Sequence, residues 1–301
     1  MKIHTFVGWG AGIVGIFGIA ACGASAGDGS LQQESSLATD DGDGKGVDEV
    51  REAAIDLQSY IHKEAQGYSS AAWFRQGRVF GPGWNEREIV EEGNCTATFF
   101  EPGDAKDPER PPVFVSAGDI FFSGAKISPN TVMRPDKSNY YPKLSDTAVL
   151  WVGGEDIRID VLGSRDGVGA IKATLKAPSL ITLSSPSWEQ DRLTLDRAKD
   201  LDLAWTQSGV ASGTVKVRIE ALDKYMESGV HVTCAFPVSS GKGVVSARVL
   251  KHLPLSSSAW IDIQTAEEGI AAAPPWNVKL RLHSGGSRAN GRASTGPVNV
   301  E

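Results

Sequence analysis

The feature that most constrains this chain is a strict two-residue alternation through its second half. Ile157, Ile159 and Val161 alternate with Arg158 and Asp160. Leu201, Leu203 and Trp205 alternate with Asp202, Ala204 and Thr206. The same pattern recurs over Val215–Glu220, Val232–Phe236 and Trp276–His283. Side chains on a strand point alternately to opposite faces, so this period marks strands with one buried and one wet face. Gly-, Ser- and Asp-rich clusters at 153–154, 163–169, 208–213 and 239–243 supply the turns. Many short strands with few helices predict an all-β fold, an antiparallel β-sandwich of immunoglobulin-like or jelly-roll-like type with one or two short helices. No fixed-period repeat is present, which disfavours a propeller or solenoid.

Weaker strand candidates fill the first half: Tyr68–Phe74, Cys95–Phe100, Val113–Ser123 and Ala148–Val152. Two helices are predicted. In 49–64 the residues Val50, Ala54, Leu57 and Ile61 fall at helical spacing behind an Asp48 cap, with an extended or disordered segment as the rival. In Val245–Leu253 the residues Val245, Val249 and Leu253 fall at i, i+4 and i+8.

The N-terminus carries a different signal. Lys2 precedes an apolar, glycine-rich run from Phe6 to Ala21, which is shorter than the ~20 residues of a spanning helix. The residues Ile19-Ala20-Ala21-Cys22 resemble a bacterial lipobox. That resemblance implies a signal peptide over 1–21, cleavage before Cys22 and lipidation of Cys22 itself. Two or more acyl chains hold a protein stably on a membrane, whereas one anchors it only marginally. In well-studied Gram-negative lipoproteins an Asp after the cysteine favours inner-membrane retention, so Gly23 points to the outer membrane, with the leaflet open.

Residues 22–48 are small, polar and acidic, and read as a lipidated flexible tether ahead of a β-sandwich domain over 49–301. Running from this region into the next, Asp41, Asp43 and Glu52 match places 1, 3 and 12 of an EF-hand calcium loop, with Gly46 at 6. Lys45 at place 5 sets an ammonium where an oxygen ligand belongs, so a solvated acidic linker is the better reading. With Cys22 lipidated, Cys95 and Cys234 remain, and an exported chain with an even remainder is consistent with one disulfide. Two buried free thiols are the other reading.

A net charge of −7 without a basic stripe argues against nucleic acid as a partner. His62, His231, His252 and His283 form no His-x-His or H-E-x-x-H pair, and no cysteine pair has metal spacing. His231 and His283 fall on the polar phase of their strands and are expected at the exposed surface. Two S-x-x-K strings (Ser123–Lys126 and Ser239–Lys242) lack the flanking signatures of serine acylases. Gly23–Gly27 matches G-x-S-x-G outside the strand–helix context that motif needs. No catalytic residue, metal ligand or cofactor is assigned.

Trp205 and Trp276 share the buried phase of their strands; Trp73, Trp84, Trp151, Trp188 and Trp260 sit near turns or strand ends. They are expected to supply core area or plug the ends of the sandwich, rather than form a row for sugar stacking.

The stretch from Leu180 to His283 has an immunoglobulin-like or fibronectin-like flavour. The chain also resembles uncharacterised myxobacterial-type envelope lipoproteins in its lipobox, in Ala117-Gly118-Asp119-Ile120, Trp151–Glu155 and Asp200–Trp205, and in its Cys234 strand. The resemblance implies a non-catalytic structural or interaction component of the envelope, held on the membrane by lipid and contacting an envelope protein or polysaccharide. A carbohydrate-binding or adhesive module is the alternative, and a hydrolase without recognisable motifs a further one.

Overall fold

The computed structural model describes residues 51–62, 65–76, 84–102, 113–127, 132–138, 141–146, 150–223 and 228–301. Cys22, Asp41 and Asp43, and the segments 1–21 and 22–48 read above as signal peptide and tether, lie outside them. The strands of the first half are β1 (Arg51–His62), β2 (Ala65–Gln76), β3 (Trp84–Glu92), β4 (Cys95–Pro102), β5 (Val113–Phe114), β6 (Ile120–Ser123), β7 (Val132–Met133) and β8 (Tyr141–Asp146). They are followed by β9 (Asp156–Val161), β10 (Ile171–Lys176), β11 (Ile181–Ser185), β12 (Leu193–Leu195), β13 (Leu201–Gln207), β14 (Thr214–Leu222) and β15 (Gly229–Pro237). The last are β16 (Lys242–Val245), the helix α1 (Ala247–Leu250), β17 (Ser256–Ala273), β18 (Trp276–Gly285), β19 (Ser287–Arg288) and β20 (Gly296–Val300). The fold is an all-β sandwich.

One long mixed sheet runs β3-β4-β15-β14-β17-β18-β1-β2-β5, with β8 joined to β2 and the pair β12–β20 joined to β17. Two four-stranded sheets, β10-β9-β6-β7 and β16-β13-β11-β19, complete the layers. The alternation seen in the sequence sets what each strand buries. In β14 Val215, Val217, Ile219 and Ala221 are fully buried, while the residues between them are half-exposed.

Two hydrophobic cores result. The N-terminal core gathers Ile55, Leu57 and Phe74 of the long sheet against Phe122, Ile157 and Ile159, with Trp151 fully buried among them. The C-terminal core gathers Val217, Ile219, Val232 and Ile261 against Leu183, Leu203 and Trp205. Both cores lie on the same face of the long sheet, because β17 serves the C-terminal core with Ile261 and Ile263 and the N-terminal core with Ala273.

A polar seam separates the cores. Pro178 and Ser179 cross from one small sheet to the other, and their buried carbonyls need donors. Thr265 and Ser284, a cross-strand pair on β17 and β18, are fully buried at this point. Thr265 Oγ1 donates to the Ser179 carbonyl at 2.6 Å, and Trp151 Nε1 donates to Ser284 Oγ at 2.9 Å. Ser179 Oγ donates to the Val210 carbonyl at 2.8 Å.

Three expectations are corrected. The helix expected over 49–64 is strand β1 over its described residues. The same segment carries a period-two set, Ala53, Ile55 and Leu57, which fills the N-terminal core. Pairing with β18 on one side and β2 on the other satisfies the backbone of β1, and that outweighs a thin helical stripe. The second helix is shorter than expected: Val245 ends β16, and only Ala247–Leu250 is helical. Asp200 Oδ1 accepts the Ala247 N–H at 2.7 Å and so stabilises the first turn. Finally, Leu150, Trp151 and Val152 form no strand; Leu150 and Trp151 are nonetheless buried.

Two phrases noted in the sequence prove to be packing devices. Gly118 has φ +70°, and a Cβ there would lie 2.3 Å from the Gly163 carbonyl oxygen, so only glycine fits. The turn is pinned by Tyr141, whose hydroxyl accepts the Ala117 N–H and donates to the Gly118 carbonyl. In the Trp151–Glu155 phrase, Gly153 packs directly against Ser179 of the seam.

Candidate functional site

The chemistry-bearing side chains gather on the face of the long sheet that turns away from the cores. Neighbouring strands bring opposite charges side by side. Asp56 on β1 accepts two hydrogen bonds from Arg281 on β18, at 2.5 and 3.0 Å. Lys216 on β14 pairs with Glu268 on β17 at 2.6 Å, and within β14 Arg218 pairs with Glu220 at 2.9 Å. Glu52 on β1 accepts two bonds from Arg75 on β2, one of them at 2.8 Å. Asp262 accepts from Thr295 Oγ1 at 2.7 Å. Burial raises the Asp56 carboxyl above the usual carboxylate range, and the Arg281 charge only partly offsets this. Burial likewise raises Asp262, against the hydrogen bond from Thr295 and the charge of Arg218.

His231 and His283 lie on this face, and the expectation that they are exposed is corrected. Both are half-buried. His231 stacks on Phe100 with ring centroids 5.7 Å apart, a packing that Gly229 permits because a Cβ there would strike the Phe100 ring. Burial, reinforced by Arg218, pushes His231 down to about 4. Burial, reinforced by Arg281, does the same to His283, pushing it down to about 4. The reason is that their sheet face is crowded with long charged side chains, so being on the polar phase does not mean being in water. Among the described residues, His283 Nδ1 is buried without a hydrogen-bond partner.

Glu52, the last place of the EF-hand-like string, sits in a strand with its carboxylate engaged by Arg75. A calcium loop would instead need that carboxylate free to chelate. Among the described residues no group of three or more His, Cys, Asp or Glu could hold a metal ion. Ser123 ends β6 with Lys126 in the turn that follows, and Ser239 lies on a 3-10 turn that leads to Lys242 of β16.

Cys95 and Cys234 stand directly opposite each other on β4 and β15, with Cα atoms 4.1 Å apart, and are joined by a disulfide. The bridge links positions 139 residues apart and staples the β3–β4 hairpin to the C-terminal core.

The tryptophans divide by environment. Trp151, Trp205 and Trp276 are buried, and Trp205 Nε1 donates to the Val238 carbonyl. Trp188 lies under the Arg288 guanidinium at 3.5 Å, and Asp191 binds both Arg288 and Arg292. Gln190 and Asp191, both with positive φ, form the tight turn that presents this carboxylate. Sequence reasoning missed this cluster, because its members come from the turn before β12 and from β19 and the turn after it, and only their three-dimensional proximity defines it. Among the tryptophans whose burial is described, Trp260 is the exposed one, 50 % exposed in mid-strand, with Glu220 and Pro297 directly across on the neighbouring strands. Among the described residues no row of exposed tryptophans forms.

No helix among the described residues is long and apolar enough to cross a membrane. No family model matches the chain, and no curated protein matches it.

Proposed function

We propose that this protein is a membrane-anchored envelope lipoprotein, a non-catalytic structural or interaction component held at the outer membrane through lipid on Cys22. The lipobox resemblance supplies the anchor, and the acidic stretch to residue 48 supplies reach. One structural observation supports the reading most. The first described strand, β1, is an interior strand paired with β18 on one side and β2 on the other, so a load from the N-terminal side enters a strand held at both edges rather than a free edge. The charges of the outer sheet face are largely paired with each other, as in a stable surface rather than a reaction centre.

The test is fractionation of intact cells expressing the native chain or Cys22→Ala, followed by crosslinked pull-down. The native chain should enter the membrane fraction with a discrete protein partner, and Cys22→Ala should lose both. Membrane retention of Cys22→Ala would refute the anchor.

A carbohydrate-binding module is a second reading, favoured by Trp260 alone. An exposed indole beside Glu220 offers a stacking platform with a hydrogen-bonding neighbour. Retardation of the protein in polysaccharide gels, abolished by Trp260→Ala, would support it; equal mobility of the two forms would dismiss it.

A further inference from the structure

We infer that the fold holds its N-terminal attachment in shear, as a mechanical clamp built from β1, β18 and β2. The inference rests on the proposed N-terminal anchorage for its biological use, but its physics does not need the lipid.

The register fixes the geometry. β1 runs parallel to β18, from Ala53 opposite Val278 to Ser59 opposite Ser284. It runs antiparallel to β2 from Arg51 opposite Gln76 to His62 opposite Ala65. The start of β1 is therefore level with the start of β18 and with the end of β17, where Ala273 pairs with Trp276. The other end of β17 lies far away: Ser256 pairs with Val300, beside the C-terminus. With 18 residues, β17 spans about 60 Å at ~3.3 Å per residue.

A pull on the N-terminal segment, resisted at the far end of the molecule, is directed along β1. The β1–β18 ladder, which lies between β1 and β17 in the sheet, is then loaded along the strand, and its hydrogen bonds must fail together, while β2 holds the other edge of β1 in register. The same pull resisted at the start of β18 loads the β1–β18 ladder from one end, and its bonds fail in sequence. Side chains pin the clamp as well. Asp56–Arg281 ties β1 to β18, and Glu52–Arg75 ties β1 to β2. On the opposite face of β1, Ile55 and Leu57 are fully buried in the N-terminal core, so sliding β1 along its neighbours would also drag them out of register.

The experiment is single-molecule force spectroscopy on the disulfide-intact chain from Gly23 to Glu301. One handle is at residue 23, and the second is either at Leu255, just before β17, or at Asn277, near the start of β18. Both second positions are exposed. The first rupture should need a severalfold higher force with the 23/255 handles than with 23/277. Equal forces, or the reverse order, would overturn the clamp. Asp56→Asn, pulled through 23/255, keeps the inference open to test if the 277-handled chain folds poorly. Its rupture force should fall below that of the native chain, and an unchanged force would overturn the clamp. Because no lipid is present, failure here leaves the Cys22→Ala fractionation result standing by itself.

Discussion

Individual residues on the outer sheet face set a pH dependence. His231 and His283 are both pushed down to about 4 in the folded protein, against the ordinary value near 6.5. Between those values the unfolded chain binds protons that the folded chain refuses. Stability therefore falls as pH drops from about 6.5 to about 4, and is flat with respect to these groups above that window. The raised carboxyls of Asp56 and Asp262 act in the opposite sense at the acid end, because burial favours their protonated form. A His231→Gln/His283→Gln variant should show a shallower loss of denaturant midpoint between pH 6.5 and 4.5 than the native chain; parallel curves would contradict the buried-histidine assignment. In the seam, Thr265→Val keeps the shape and removes the donor to the buried Ser179 carbonyl. It should cost about 1–3 kcal/mol in urea unfolding, the usual penalty for an unsatisfied buried acceptor.

At the scale of elements, the Asp56–Arg281 pair shows why a good ion pair is not simply a gain. Its geometry is bidentate, yet desolvation wins at Asp56. Asp56→Ala leaves the partly exposed Arg281 unpaired and should destabilise by about 1–3 kcal/mol, the penalty of an unsatisfied polar group, whereas Asp56→Leu with Arg281→Met should be close to neutral. Chemical denaturation of the three proteins separates these outcomes. The β4–β15 pairing is likewise held by a cross-link that the ladder alone does not require. Cys95→Ser with Cys234→Ser should cost about 2–5 kcal/mol, as for other native disulfides. No change in midpoint would mean that the bridge does not form in the protein. The strand β1 also shows the limit of local reading: Ala54 and Leu57 fit a helical stripe, while Ala53, Ile55 and Leu57 fit a strand, and nothing within the segment chooses between them.

For the molecule as a whole, the alternation in the sequence settled the all-β class and the buried face of the later strands. Val215–Ala221, Val232–Phe236 and Trp276–Leu282 declare by themselves which face they bury, since that depends only on the two-residue period of a strand. Trp205 and Trp276 were legible as core for the same reason. Pairing was not legible. Asp56 meets Arg281 across 225 residues of chain, and no local property of either announces the other. The tertiary structure alone decided that one sheet serves two cores, that hydroxyls line the seam between them, and that β1 is central. It also decided that His231 and His283 are half-buried. These are facts about neighbours, and neighbours in a sheet are chosen by long-range packing and backbone pairing, which a strand's own sequence constrains only through the face it must hide.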